Sequence, residues 1–151
     1  MLPVKKTKKL VEPIDITVLL IEDSLEDGVI ITKAFFESET FYDFKIIRKY
    51  TLEGGLNFLK SAKVDIVLLD LGLPDARELK SVDEIHKQYP ELPIVIISGY
   101  SDVDMIHTAL KSGAQEFLIK GESNAQVIRQ SMYQAIARKK IELAYQRGEK
   151  I

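Results

Sequence analysis

The chain of 151 residues contains no cysteine, which excludes disulfide bonds, thiolate nucleophiles and zinc–thiolate sites. Its two histidines, His86 and His107, are too few and too far apart to form a histidine-rich metal cluster. No apolar run approaches the roughly 20 residues needed to span a bilayer. The 21 basic residues do not outnumber the 23 acidic ones, so the charge balance gives no reason to expect direct nucleic-acid binding. We therefore expect a cytoplasmic protein without a membrane span.

The residues that are present suffice for one domain with a real core. Hydrophobic residues make up 46% of the chain, which excludes a disordered protein of this length. Residues 1–9 are basic but lack the apolar centre of a signal peptide. We interpret residues 1–15, which include two prolines, as a flexible basic arm that precedes the domain.

Five short apolar segments alternate with five segments of helical periodicity. Alternation of this kind predicts an α/β fold with a parallel sheet, right-handed crossovers and helices on both faces. We predict the flavodoxin-like strand order 2-1-3-4-5, with the more polar second strand at an edge. The predicted strands lie at residues 17–21, 44–48, 64–70, 93–99 and 116–120.

Several polar residues mark where the predicted helices begin. Ser24, with Asp27 three residues later, is typical of a capping box. Thr51 predicts the start of the second helix, although two glycines at 54–55 weaken that helix. Ser101 is predicted to cap the fourth helix, and a long final helix is predicted from about Ser123.

Polar side chains stand at the carboxyl ends of four of the five predicted strands. Glu22 and Asp23 stand at the end of the first strand, Asp70 at that of the third, Ser98 at that of the fourth and Lys120 at that of the fifth. Parallel strands end at one edge of a sheet, so these groups should meet there. Crowded carboxylates must share protons or hold a cation, and ligation by oxygen alone indicates Mg²⁺. A lysine supplies a point charge for a phosphoryl oxygen, so the set suits an aspartate that carries a phosphoryl group.

Four segments at these strand ends carry a family resemblance. They are Leu20–Ser24, Leu68–Pro74, Ile96–Gly99 and Phe117–Lys120, in this order along the chain. With them the chain resembles the receiver domain of two-component response regulators, of which the chemotaxis receiver is one example, over about residues 17–138.

The resemblance implies a role for each acidic residue. Asp70 would be the phosphoacceptor and would also contact the metal, Asp23 a direct Mg²⁺ ligand, and Glu22 a support for the metal through water. The backbone carbonyl of Gly72 would complete the metal site.

The resemblance also implies a switch. Ser98 would move toward the phosphoryl oxygen, Lys120 would pair with the same group, and Phe117 stands where the family has an aromatic switch residue. Gly121 replaces the proline that usually follows the lysine, so we expect a trans, glycine-built turn. Tyr100 places a bulky ring near the mouth of the site, where it would slow attack by water.

The implied function is phosphorylation-controlled signalling with a histidine kinase or phosphotransfer protein as partner. The domain would catalyse only its own phosphorylation and dephosphorylation, so it would not be an enzyme in the usual sense. We assign residues 16–138 to the receiver domain. Residues 139–151 would extend the last helix, either as a linker to an output domain or as a homodimer contact.

Two alternatives remain at this stage. An aspartyl-phosphate phosphatase would need a second aspartate two residues after the nucleophile, where this chain has Gly72. A receiver-like module that signals by docking alone would not need the acidic residues, Asp70 and Lys120.

Overall fold

The computed structural model describes residues 14–36, 42–100 and 102–149. Most of the predicted basic arm, residues 1–13, lies outside the described residues, whereas Ile14 and Asp15 already belong to the first strand. The elements are β1 Ile14–Ile21, α1 Leu25–Ala34, β2 Tyr42–Lys49, α2 Leu52–Ser61, β3 Ile66–Leu69, α3 Lys80–Gln88, β4 Ile94–Ser98, α4 Val103–Lys111, β5 Glu116–Ile119 and α5 Ala125–Gln146.

The five strands form one parallel sheet in the order β2-β1-β3-β4-β5. This confirms the predicted fold class and strand order. β3 and β4 are buried at every position, as expected for central strands that are covered on both faces. The more polar β2 lies at one edge, as its sequence predicted.

Successive residues of β1 point to opposite faces of the sheet and belong to different cores. Leu19 and Ile21 pack with residues of α2, α3 and α4, whereas Val18 and Leu20 pack with residues of α1 and α5. This is the period-two alternation of a strand with both faces buried. The helices therefore lie on both faces and leave the carboxyl edge of the sheet open between them.

The predicted helix starts are correct for α1 and α2 and displaced for α4 and α5. Ser24 and Thr51 accept hydrogen bonds from backbone N–H groups within α1 and α2. The cap of α4 is Asp102, whose carboxylate accepts from the Met105 N–H at 2.7 Å, so the prediction of Ser101 was wrong by one residue. Ser101 itself lies outside the described residues, and Asn124 caps α5 one residue after the predicted start. Both sites offer two good capping residues in succession, and sequence alone does not choose between them.

The glycines that weakened the prediction of α2 have a packing reason. A Cβ on Gly55 would overlap the Cδ1 of Ile21, which is fully buried in β1. The glycine lets α2 approach the sheet closely, and this outweighs its low helix propensity.

The final helix, α5, is 22 residues long and continues without a break through residue 146. Ile128, Met132 and Ala135 are buried in its first half, while Ile141 and Tyr145 are exposed in its second half. Within the described ranges, no helix combines the length and apolarity that crossing a membrane requires.

Candidate functional site

Backbone hydrogen bonds bring the ends of the strands level at the carboxyl edge. The Asp70 N–H donates to the Ile21 carbonyl at 3.0 Å, and the Lys120 N–H donates to the Ser98 carbonyl at 2.8 Å. The Glu22 N–H donates to a carbonyl of β2 at 3.0 Å. The sheet ladder thus continues one residue past the strands, and it places the polar side chains that follow them on one shared edge.

Three carboxylates converge at this edge. Glu22, Asp23 and Asp70 each offer an oxygen within 4.8 Å of the others. Glu22 is fully buried and Asp70 is 5% exposed, whereas Asp23 is exposed. Such a group can hold a hard divalent cation, and its oxygen-only donors fit Mg²⁺. Gly72 lies beside them, because a Cβ at this position would be 3.5 Å from Asp70 Oδ2.

The ammonium of Lys120 lies among three carboxylates. Its Nζ is 2.6 Å from Glu22 Oε1, 2.9 Å from Asp27 Oδ2 and 3.5 Å from Asp70 Oδ2. The sequence predicted the meeting of Lys120 with Glu22 and Asp70. It did not predict Asp27, which appeared there only as half of a capping box.

The capping box at the start of α1 is only half formed. The Asp27 N–H donates to the Ser24 hydroxyl at 3.1 Å, as predicted. In a complete box the carboxylate of Asp27 would accept from the Ser24 N–H. That N–H donates instead to Glu22 Oε2 at 3.1 Å, and Asp27 turns to Lys120.

Arg48 of β2 holds the backbone of the acidic loop, which is the segment Glu22–Ser24 between β1 and α1. Its Nη2 donates to the carbonyls of Glu22 at 3.1 Å and Ser24 at 3.0 Å, and its guanidinium lies 4.7 Å from the ring centre of Tyr50. A Cβ on Gly28 would overlap this guanidinium, so the glycine in α1 makes room for it. The sequence patterns do not point to Arg48, and the signal that could have indicated it is Gly28 inside a predicted helix.

The surroundings of the site shift the pKa values of two groups. Burial, opposed by Lys120 and reinforced by Asp70, raises the pKa of Glu22 to about 7. Burial alone would lower the pKa of Lys120, but the hydrogen bonds to Glu22 and Asp27 outweigh it and hold that pKa above its ordinary value. The lysine therefore remains a cation across the physiological pH range.

The predicted switch residues lie at the ends of β4 and β5. Ser98 is buried, and its hydroxyl accepts a weak hydrogen bond from the Tyr100 N–H at 3.4 Å. The Tyr100 side chain is 65% exposed. Phe117 is half-buried and packs against the core that lies under α2, α3 and α4.

The turn after the lysine has the predicted backbone. Gly121 has a φ of +82°, a conformation that favours glycine, and no peptide bond in the described ranges is cis. The turn built on Gly121 therefore takes the place of the proline that usually follows the lysine in the family that the chain resembles.

A comparison with known families decides what this arrangement is. The model of the response regulator receiver domain matches residues 18–132. The chain belongs to this family. The receiver domain of a putative LuxO repressor from Vibrio parahaemolyticus has a similar structure, with a TM-score of 0.73 and 26% identity over 87% of this chain and 95% of that one. A CheY-like receiver domain from Methanospirillum hungatei shares the fold, with a TM-score of 0.70 and 20% identity over 84% of this chain and 98% of that one.

Curated relatives of the receiver domain are longer proteins. The transcriptional regulatory protein MalR of Bacillus subtilis is 29% identical over 105 residues, which are 70% of this chain and 44% of that protein. The luminescence regulatory protein LuxO of Vibrio campbellii is 36% identical over 56 residues, which are 37% of this chain and 12% of that protein. The chain therefore spans less than half the length of these two relatives.

Proposed function

We propose that this receiver domain accepts a phosphoryl group on Asp70 from a phosphohistidine of a histidine kinase or phosphotransfer protein. A carboxylate oxygen of Asp70 attacks phosphorus, the bond between phosphorus and the imidazole nitrogen breaks, and the imidazole leaves with the bonding electrons. The observation that carries the proposal is the buried carboxylate of Asp70 at the end of β3, with the ammonium of Lys120 at 3.5 Å. A fixed cation at that distance can stabilise charge on the transferring oxygens.

The acidic cluster supports a metal requirement for the same reaction. Glu22, Asp23, Asp70 and the Gly72 carbonyl would hold Mg²⁺, since their oxygens match its preference and three of them already lie within 4.8 Å of one another. When bound, Mg²⁺ supplies neutralisation of phosphoryl charge. The chain's own contribution is to place the nucleophile and the lysine, and to keep both in a largely buried setting.

The consequence of phosphorylation is a change in what the domain binds. We infer that the Ser98 hydroxyl turns to the phosphoryl oxygen, with Phe117 and the start of α4 following, because the Ser98 hydroxyl accepts one weak hydrogen bond and α4 has a single buried residue, Ala109. The domain would act as a switch whose own catalysis is limited to gaining and losing its phosphate. The exposed Ile141 and Tyr145 of α5 support a role for that segment as a linker or a dimer contact.

Incubation with acetyl phosphate and Mg²⁺ tests the proposal. Intact-mass spectrometry should show one added phosphoryl group on the native chain and none on Asp70→Asn. Asp83→Asn, which removes an exposed carboxylate from α3, is the matched control and should be labelled like the native chain. Absence of label on the native chain, or label that persists in Asp70→Asn, would contradict the mechanism and favour a module that signals by docking alone.

A further inference from the structure

The first turn of α1 contributes a fourth acidic group to the site, one that the strand-end motifs do not contain. Asp27 Oδ2 lies 2.9 Å from Lys120 Nζ, closer than the 3.5 Å that separates the lysine from Asp70. An ammonium has three N–H groups. In the resting chain its two shortest contacts are thus with Glu22 and Asp27, and neither is with the residue that takes the phosphate.

The local structure explains why Asp27 is available for this contact. Glu22 Oε2 accepts the hydrogen bond from the Ser24 N–H. In a complete capping box the carboxylate of Asp27 would accept that hydrogen bond instead. The Ser24 hydroxyl still receives the Asp27 N–H, so the backbone of Asp27 stays fixed while its side chain is free to face Lys120. The position of the carboxylate is therefore set by two neighbouring hydrogen bonds.

The two carboxylates that hold the lysine differ in how easily they can release it. Glu22 is fully buried, so losing its partner would leave a buried group without compensation. The side chain of Asp27 is 41% exposed, and water can take the place of the ammonium. An incoming phosphoryl oxygen would thus displace Asp27 first.

We propose that Asp27 is a positioning residue that competes with Asp70 for Lys120 in the unphosphorylated chain, leaving the ammonium at 3.5 Å from Asp70 Oδ2, and that it releases the lysine when the phosphoryl group arrives. This inference rests on the proposed phosphorylation of Asp70, and it adds Asp27 as a second group that competes for the lysine. Asp27 thereby stabilises the resting state relative to the phosphorylated one. Because a partly exposed ion pair is weak, the effect on the phosphorylation rate should be modest, about two- to fivefold.

Initial rates of Asp70 labelling by acetyl phosphate at saturating Mg²⁺ test the inference. Asp27→Asn should be labelled about two- to fivefold faster than the native chain, and Asp27→Glu, which restores the charge, should return toward the native rate. Glu26→Gln is the control, since it removes a neighbouring exposed charge of α1 that makes no contact with Lys120 in the described structure. Equal acceleration by Glu26→Gln would show a general charge effect and overturn the inference, as would an unchanged rate in Asp27→Asn.

A titration with Mg²⁺ alone separates this inference from the proposed function. Without Asp27 the ammonium should turn toward Asp70 and compete for its oxygens, so Asp27→Asn should weaken Mg²⁺ binding by about threefold. The same substitution made in Lys120→Met should have a clearly smaller effect, because the competing cation is gone. Equal effects in the two backgrounds would overturn the role of Asp27. If the native chain took no phosphate, the proposed function would fail, and this titration would still decide how Asp27 acts on Lys120.

Discussion

The two sides of the candidate site are held in place very differently. On the side of the acidic loop that follows β1, Glu22 is bonded to Ser24 and to Lys120, and Arg48 holds the carbonyls of that loop. On the side of β4, the hydroxyl of Ser98 receives one hydrogen bond of 3.4 Å, and α4 buries a single residue, Ala109. The groups that would carry the chemistry are thus fixed in advance, while the groups that would respond to it are weakly held.

On the fixed side, around the acidic loop, three carboxylates crowd a largely buried space, and their charges repel one another. Glu22 keeps its proton to about pH 7 in the folded chain, whereas in the unfolded chain it loses that proton near its ordinary value of 4.5. The crowded carboxylates are therefore electrostatically strained when no cation is bound. The predictions that follow test this difference between the two sides.

The largest expected effect is the pH dependence of stability in the metal-free chain. Because the pKa of Glu22 is raised to about 7 on folding, its contribution to stability is fully present below about pH 4.5 and is lost as the pH rises through 7. Glu22→Gln imitates the protonated form. The variant should match the native chain near pH 4.5 and exceed its free energy of unfolding at pH 8 by up to about 3 kcal/mol.

Urea denaturation at several pH values, with a chelator present, measures this difference. Glu26→Gln, which removes an exposed charge from the same segment, should differ little from the native chain at every pH. If the free energies of unfolding of Glu22→Gln and the native chain differed by the same amount from pH 4.5 to 8, the buried carboxylate of Glu22 would cause no electrostatic strain.

A smaller effect is expected when the acidic loop loses its anchor. Arg48→Ala removes two hydrogen bonds from a charged donor to backbone carbonyls, and it should lower the free energy of unfolding by about 1–2 kcal/mol. Arg48→Lys keeps the positive charge but lacks the planar guanidinium. Its free energy of unfolding should therefore lie between those of the native chain and Arg48→Ala. Tyr100→Ala, on the loosely held side, should cost less than about 0.5 kcal/mol because the ring is 65% exposed. Equal losses in Arg48→Ala and Tyr100→Ala would remove the distinction between the sides.

The parts of the molecule that the sequence predicts correctly are those that depend on short-range patterns. Apolar runs and their alternation with helical segments are enough to predict a parallel sheet, whereas its order 2-1-3-4-5 is the one that the resemblance to receiver domains implies. Since parallel strands end at one edge, the residues that follow each strand could be predicted to meet, and Glu22, Asp23, Asp70 and Lys120 do meet. The roles of these residues remain predictions until the site is tested.

The missed features depend on contacts between distant segments. Asp27 and Lys120 are 93 positions apart, and their contact follows from a competition between two carboxylates for the Ser24 N–H. Arg48 reaches the loop from another strand, without any local motif. Asp102 rather than Ser101 caps α4, and the sequence offers both as good capping residues in succession. None of these outcomes follows from residue spacing alone, because the contacts of Asp27 and Arg48 depend on how distant segments pack, and the cap of α4 on a choice between two adjacent capping residues.

The smallest effect is expected at Ser98, the predicted switch serine. Ser98→Ala removes a hydroxyl whose one hydrogen bond within the described residues is long and uncharged, so the free energy of unfolding should change by less than about 0.5 kcal/mol. Ser81→Ala is a useful control, because the hydroxyl of this buried serine in α3 lacks a hydrogen-bond partner in the described ranges, and its removal should leave stability unchanged or raised. A loss above about 1 kcal/mol in Ser98→Ala would mean that β4 ends in a group as firmly bonded as those of β1. The serine could then move only by breaking structure that the resting chain depends on, which is the opposite of a group poised to respond to a phosphoryl oxygen.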